Sequence, residues 1–132
     1  MTMQNNINNS SQYSPNQKQT GETFSFKWSM RNTYESSHVK EKTMIWLYEK
    51  YCNNNPEILH KWLNNGNKKI LDAGCGSGYS ALIFFGEELN KNLYFGVDIS
   101  DAIYVAKDRF LEAGIRGTFI KSDIMHIPFK NN

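Results

Sequence analysis

The chain has 132 residues and a formal net charge of +2, so it forms one domain or part of one. The weak charge gives no argument for nucleic-acid binding, for which a concentrated basic face is expected. The sequence has no apolar run of 18 residues and no N-terminal basic-then-apolar segment, so neither a transmembrane helix nor a secretory signal is predicted.

The cysteines and histidines predict no special chemistry. Cys52 and Cys75 are unpatterned, so reduced thiols and a cytoplasmic protein are expected. Neither forms a metal-ligand spacing with a histidine, so no metal site is predicted. Cys75 is interpreted as a small loop residue, because no partner base is evident, and His126 as a solvated loop histidine.

The N-terminal third divides into a polar tail and a helical extension. Asn, Gln, Ser or Thr occupies 14 of the first 20 positions, which predicts a disordered tail over residues 1–22. A helical extension is predicted over residues 23–66. Its first helix is capped by Ser36 or Ser37 and runs to about Cys52, and its second begins at Pro56. The apolar stripe of the first helix is expected to comprise Met44, Ile45, Tyr48, Tyr51 and Cys52.

From residue 67 the pattern alternates between strands and helices. Strands are predicted at residues 69–73, 93–98 and 118–121. The helices between them run from Tyr79 to about Leu89 and from a capping Ser100 through Ala113. This alternation predicts an α/β fold with a parallel sheet and right-handed crossovers, in the strand order 3-2-1.

The first strand would then lie at an edge of the sheet. Residues 70–71 carry no charge or proline to protect that edge, which predicts self-association through it. A complete doubly wound sheet places a fourth strand there. The sequence is therefore interpreted as truncated before that strand.

Three acids follow or end the predicted strands. Asp72 precedes a turn with alternating glycines at Gly74, Gly76 and Gly78, and Asp98 lies 24 residues after Gly74. Asp123 follows the third strand. Because the carboxyl ends of parallel strands share one sheet edge, these acids are expected along one rim. There Asp98 would accept from ribose hydroxyls and Asp123 from an adenine amine.

The charge beside the glycine turn bears on the ligand. A dinucleotide would place its pyrophosphate at this turn, and Asp72 would oppose it. S-adenosylmethionine carries an ammonium and a sulfonium and no phosphate. Asp72 therefore favours the methyl donor over NAD, which stays open as an alternative ligand.

Residues 70–78, with the sequence ILDAGCGSG, resemble motif I of the class I, Rossmann-like S-adenosylmethionine-dependent methyltransferases. Residues 96–100 and 122–129 are similar to the second and third motifs of that family. The resemblance implies a S-adenosylmethionine-binding domain over residues 67–132. It implies that the glycine turn holds the methionyl portion, that Asp98 and Ile99 flank ribose and adenine, and that Asp123 and Ile124 face adenine. The implied donor-binding residues are Asp72, Ala73, Gly74, Cys75, Gly76, Gly78, Asp98, Ile99, Asp123 and Ile124.

The resemblance implies a methyltransferase, with S-adenosyl-L-methionine as cofactor. It assigns no catalytic residue and no methyl acceptor, since nothing matches the family's fourth motif. Residues 24–31 also resemble an aromatic lead-in of some bacterial members, and Trp28 would then fold over the donor. Two alternatives stay open: a truncated, non-catalytic remnant of a methyltransferase, and an NAD-binding oxidoreductase fragment.

Overall fold

The computed structural model describes residues 14–29, 35–127 and 129–130, and within the first range it does not describe the side chains of residues 20 and 24–29. The predicted aromatic lead-in at residues 24–31 and the predicted role of Trp28 therefore lie outside what is described. The helices are α1 (Pro15–Ser29), α2 (Ser37–Cys52), α3 (Pro56–Asn64), α4 (Tyr79–Phe85) and α5 (Ala102–Glu112), with short 3₁₀ helices at Gly86–Lys91 and Ile124–His126. The strands are β1 (Lys69–Ala73), β2 (Leu93–Asp98) and β3 (Thr118–Lys121).

The three strands form one parallel sheet in the order β1-β2-β3. Asp72 pairs with Gly96, and Asp98 pairs with Lys121. The predicted α/β, Rossmann-like arrangement is confirmed, with all three strands at the predicted positions. Within the described sheet β1 lies at an edge, and self-association through it stays a prediction.

Aromatic rings form the centre of the core on one face of the sheet. Tyr94 of β2 is 2% exposed and stacks on Phe110 of α5, with ring centroids 4.9 Å apart. Phe119 of β3 meets Phe110 edge-on at 4.8 Å. Ile103 and Ala106 are buried on the same helix. The core therefore fixes α5 over β2 and β3. Because these two strands are parallel, their carboxyl ends lie at one rim of the sheet.

Two helix predictions are corrected. On α2 the buried residues are Leu47 and Cys52, whereas Ile45 and Tyr51 are 58% and 59% exposed. The predicted stripe was therefore wrong at Ile45 and Tyr51, whereas Cys52 is buried and Met44 and Tyr48 are half-buried where α2 contacts α3 and α4. The helix that begins at Tyr79 ends at Phe85 rather than near Leu89, because Gly86 adopts a φ of 59° and a 3₁₀ helix follows.

Helix α1 begins at Pro15, inside the segment predicted to be a disordered tail. The Ser14 N–H donates to Gln17 Oε1 at 2.8 Å, and the Gln17 N–H donates to Ser14 Oγ at 3.3 Å. This reciprocal capping box, with proline at the first helical position, starts a helix despite the polar composition. The prediction was therefore wrong for residues 15–22, and residues 1–13 lie outside the described part.

The N-terminal helices are tied to the sheet domain by packing and by charge. Helix α1 contacts α5, and its buried Gly21 lies against the backbone of Ile99 and Ser100. Arg109 of α5, 7% exposed, forms an ion pair with Glu35 before α2. Among the residues described, no helix has the length and apolar character needed to cross a bilayer.

Candidate functional site

The glycine turn after β1 is pinned to the neighbouring strand. The N–H groups of Gly74 and Cys75 both donate to the Val97 carbonyl, at 2.7 and 3.1 Å. Gly74, Gly76 and Gly78 have φ values of 84°, 55° and 72°. These left-handed conformations favour glycine because it has no Cβ. The turn therefore follows the path that the alternating glycines predicted.

Two glycines of this turn differ in their surroundings. A Cβ on Gly78 would lie 3.1 Å from both Ala106 Cβ and Phe110 Cε2, whereas a Cβ on Gly74 would meet nothing within 4 Å. Gly78 is thus required for the turn to pack on α5. Gly74 instead leaves open space beside exposed backbone, where a ligand can approach closely.

Asp98, the last residue of β2, ties the turn to the sheet. Its Oδ2 accepts from the Gly76 N–H at 2.8 Å, and its Oδ1 accepts from the N–H and hydroxyl of Ser100 at 2.8 and 2.7 Å. A carboxylate offers about four acceptor positions. Three bonds therefore hold Asp98 in place and leave it the capacity to accept another.

Asp123 follows β3 and caps the short 3₁₀ helix. It is 5% exposed, its Oδ1 accepts from the Met125 N–H at 3.0 Å, and its Oδ2 lies 3.2 Å from His126 Nδ1. The Met125 bond is the main reason that the pKa of Asp123 falls below its usual value. Asp123 is therefore a fixed anion at the end of the sheet.

A cavity of about 310 Å³ joins these groups. Its lining residues are Asn16, Gln17, Gly74, Asp98, Ile99, Asp123 and Ile124. The structure thus brings together five of the residues that the sequence singled out. Asn16 and Gln17 were missed because they fell in the presumed tail, although the Ser14-to-Gln17 capping box marks a helix start there.

Asp72 lies apart from the other two acids. It lines a separate, largely apolar cavity of about 560 Å³ beside β1, and its Oδ2 accepts from the Tyr94 hydroxyl at 2.6 Å. Burial raises the pKa of Asp72, and the charge of Asp98 adds to the increase. The acids therefore do not share one cavity, although Asp72 and Asp98 remain electrostatically coupled.

The remaining residues of the turn do not line the 310 Å³ cavity. Ala73 is exposed, and Gly76 donates to Asp98 as described. Burial raises the pKa of Cys75 to about 12, so its thiol is protonated near neutral pH and is a poor nucleophile. No cluster of three or more metal-ligating side chains occurs in the described ranges.

The chemistry of the cavity suits an adenosine. The carboxylates of Asp98 and Asp123 can accept hydrogen bonds from hydroxyl groups and from an amine. Ile99 and Ile124 provide apolar walls for a planar ring. The open space beside Gly74 extends this surface along the turn. The residues present therefore fit a sulfur nucleoside with a polar tail.

Comparison with protein-family models matches residues 70–132 to a family described as a methyltransferase domain. The matched range begins in β1 and contains the glycine turn, Asp98 and Asp123. No curated protein and no solved structure matches the chain.

Proposed function

We propose that this chain binds S-adenosyl-L-methionine in the cavity between the glycine turn, Asp98 and Asp123 and serves methyl transfer. The match of residues 70–132 to a methyltransferase domain family supports this proposal. The observation that carries the proposal is the meeting of Gly74, Asp98 and Asp123 in one cavity. Each comes from the carboxyl end of a different parallel strand, where open α/β sheets bind ligands.

The adenosine half of the donor is assigned to the two acids of the cavity. Asp98 accepts from a ribose hydroxyl with its remaining acceptor position, because its three protein bonds fix its orientation. Asp123 accepts from the exocyclic amine of adenine. Ile99 and Ile124 cover the two faces of the base, which explains why apolar residues follow both acids.

The methionyl half is assigned to the turn. Gly74 lets the ligand approach the backbone, since a side chain there would occupy the open space. Asp72 stands behind the turn and attracts a cationic ligand through the same field that couples it to Asp98. A phosphate at this place would meet two carboxylates, which disfavours a dinucleotide.

When bound, the donor supplies a methyl carbon that an acceptor lone pair attacks while the carbon–sulfur bond breaks and its electron pair passes to sulfur. The residues of this chain bind and orient the donor for that displacement, which is mainly a contribution of proximity. We assign no general base, because one is needed only when the acceptor must lose a proton.

Calorimetry with S-adenosylhomocysteine tests the proposal. We expect one binding site in the parent chain and no comparable binding of NADH. Asp98→Ala should weaken binding at least about 10-fold, since a hydrogen bond to a charged group contributes about 1.5–3 kcal/mol. Asp98→Asn retains an oxygen for Ser100 but places an amino group opposite the Gly76 N–H, so it should also bind more weakly.

Asp108→Ala is the matched control, because it removes an exposed acid from α5 with the same change in net charge. It should bind like the parent. Equal affinity in the parent and in both Asp98 variants would contradict the proposed site, and tight binding of NADH would contradict the proposed donor.

A further inference from the structure

Asn16 and Gln17 line the cavity from outside the matched range, and Gln17 bonds to Asp123. Gln17 is in the first turn of α1, and its Nε2 donates to Asp123 Oδ2 at 2.6 Å. The contact joins residues 106 positions apart in the sequence. It links the first turn of α1 to the residues that follow β3.

The orientation of the Gln17 amide is fixed by the helix itself. Gln17 Oε1 accepts from the Ser14 N–H at 2.8 Å, so the amino group of the same amide is directed away from that bond. An ionised carboxylate accepts hydrogen bonds and cannot donate them, so the amino group is the part of the amide that suits Asp123. The capping box thus presents a neutral nitrogen donor to this acid.

The carboxylate of Asp123 has little room for a further hydrogen-bond donor. Its Oδ1 is held by the Met125 N–H, its Oδ2 is shared by Gln17 and His126, and the residue is only 5% exposed. The exocyclic amine of adenine is, like a side-chain amide, a planar neutral nitrogen donor. Both groups therefore suit the same oxygen.

We propose that Gln17 is a gate residue that occupies the adenine-amine position on Asp123, so that α1 and the adenine of the donor compete for one carboxylate. This inference rests on the proposed function. Donor binding displaces the Gln17 amino group from Oδ2, and the first turn of α1 moves aside to admit the base. Affinity for the donor is lower than the cavity alone would give, because a protein hydrogen bond must first be broken.

A gate and a fixed wall predict opposite effects of the same substitution. If Gln17 competes with adenine, Gln17→Ala frees the Asp123 oxygen and strengthens binding of S-adenosylhomocysteine. If Gln17 is a contact to the bound nucleoside, the same change weakens binding. The sign of the change in affinity decides between these roles.

The test is calorimetry of S-adenosylhomocysteine with Gln17→Ala, with Gln19→Ala as the matched control. Gln19 is exposed on the same helix, and its loss should leave the affinity within about 2-fold of the parent. We expect Gln17→Ala to bind about 3- to 10-fold more tightly, the range for loss of one competing hydrogen bond. In an Asp123→Ala background, Gln17→Ala should no longer change the affinity.

The failures of the two proposals are distinguishable. If the parent chain does not bind S-adenosylhomocysteine, the proposed function fails and the gate fails with it. If the parent binds but Gln17→Ala binds equally or more weakly, the gate alone is overturned. An effect of Gln17→Ala that persists without Asp123 also overturns it, because competition requires that carboxylate.

Discussion

The Tyr94 hydroxyl donates a 2.6 Å hydrogen bond to Asp72 across the β1–β2 pair. Tyr94 lies two residues before Gly96, the strand partner of Asp72, so both side chains are on the same face of the sheet. The tyrosine ring packs on Phe110, and its hydroxyl donates the hydrogen bond to Asp72. Core packing and the position of an acid near the site therefore depend on one side chain.

Tyr94→Phe separates these two roles. The substitution keeps the ring contacts but leaves a half-buried carboxylate without this donor, so we expect a loss of about 1–2 kcal/mol in the free energy of unfolding. Urea denaturation followed by circular dichroism measures it. Tyr104→Phe, which removes a hydroxyl from a side chain that is 51% exposed, is the control. A loss of equal size in both variants would contradict the importance of the Asp72 bond.

Asp72→Asn should increase stability near neutral pH and weaken donor binding. Burial raises the pKa of Asp72 in the folded state, so the unfolded chain loses this proton at lower pH than the folded chain does. Ionisation therefore favours the unfolded state, and the penalty is fully present above the raised pKa. Thermal unfolding from acid to neutral pH should show the difference from the parent growing with pH and then levelling. A variant that is less stable at every pH would contradict this account.

Gly74→Ala should mainly lower the affinity for the donor, and Gly78→Ala should mainly lower the stability of the fold. Both glycines have positive φ, so each alanine carries backbone strain of about 1–2 kcal/mol. At Gly78 the new Cβ also meets α5 at 3.1 Å, which adds about 1–3 kcal/mol. At Gly74 the Cβ enters open space beside the cavity, so the main loss is affinity for S-adenosylhomocysteine. Denaturation and calorimetry on the pair measure both effects, and equal stability of the two variants would contradict the packing role of Gly78.

The contact between His60 and Glu88 should give a pH-dependent contribution to stability. His60 Nδ1 lies 2.8 Å from Glu88 Oε2, and this hydrogen bond is the main cause of the raised pKa of His60. Because the folded pKa exceeds the ordinary 6.5, the contribution is fully present below pH 6.5 and is lost as pH rises through the raised value. His60→Gln should lower the Tm below pH 6.5 and have little effect well above it. His38→Gln, at an exposed position on α2, is the control, and a Tm difference that is independent of pH would contradict the contact.

Much of the sheet domain was predictable because its signals are local and mutually consistent. All three strands were located from short apolar runs bounded by turn residues, and the alternation with helices gave the parallel order. Asp98 and Asp123 followed from their positions at strand ends. Their meeting in one cavity required only the rule that parallel strands share a carboxyl edge.

The errors arose where composition and tertiary packing compete with a local signal. The polar composition of residues 1–22 hid the capping box that begins α1 and thereby hid Gln17 as a residue of the site. Gly86 ended α4, although Leu89 follows Phe85 at helical spacing. Asp72 was grouped with the other acids because strand position alone does not reveal that Tyr94 holds its carboxylate toward a different cavity.

Amide NMR spectra of the labelled chain, recorded during titration with S-adenosylhomocysteine, test the central claim most directly. We expect the largest shifts at the amides of Gly74, Ile99 and Ile124, which line the cavity between the glycine turn and the two acids. Shifts confined to the apolar cavity beside β1, around Trp46 and Trp62, would place the ligand elsewhere. That result, or a titration that moves no amide of the 310 Å³ cavity, would contradict the account.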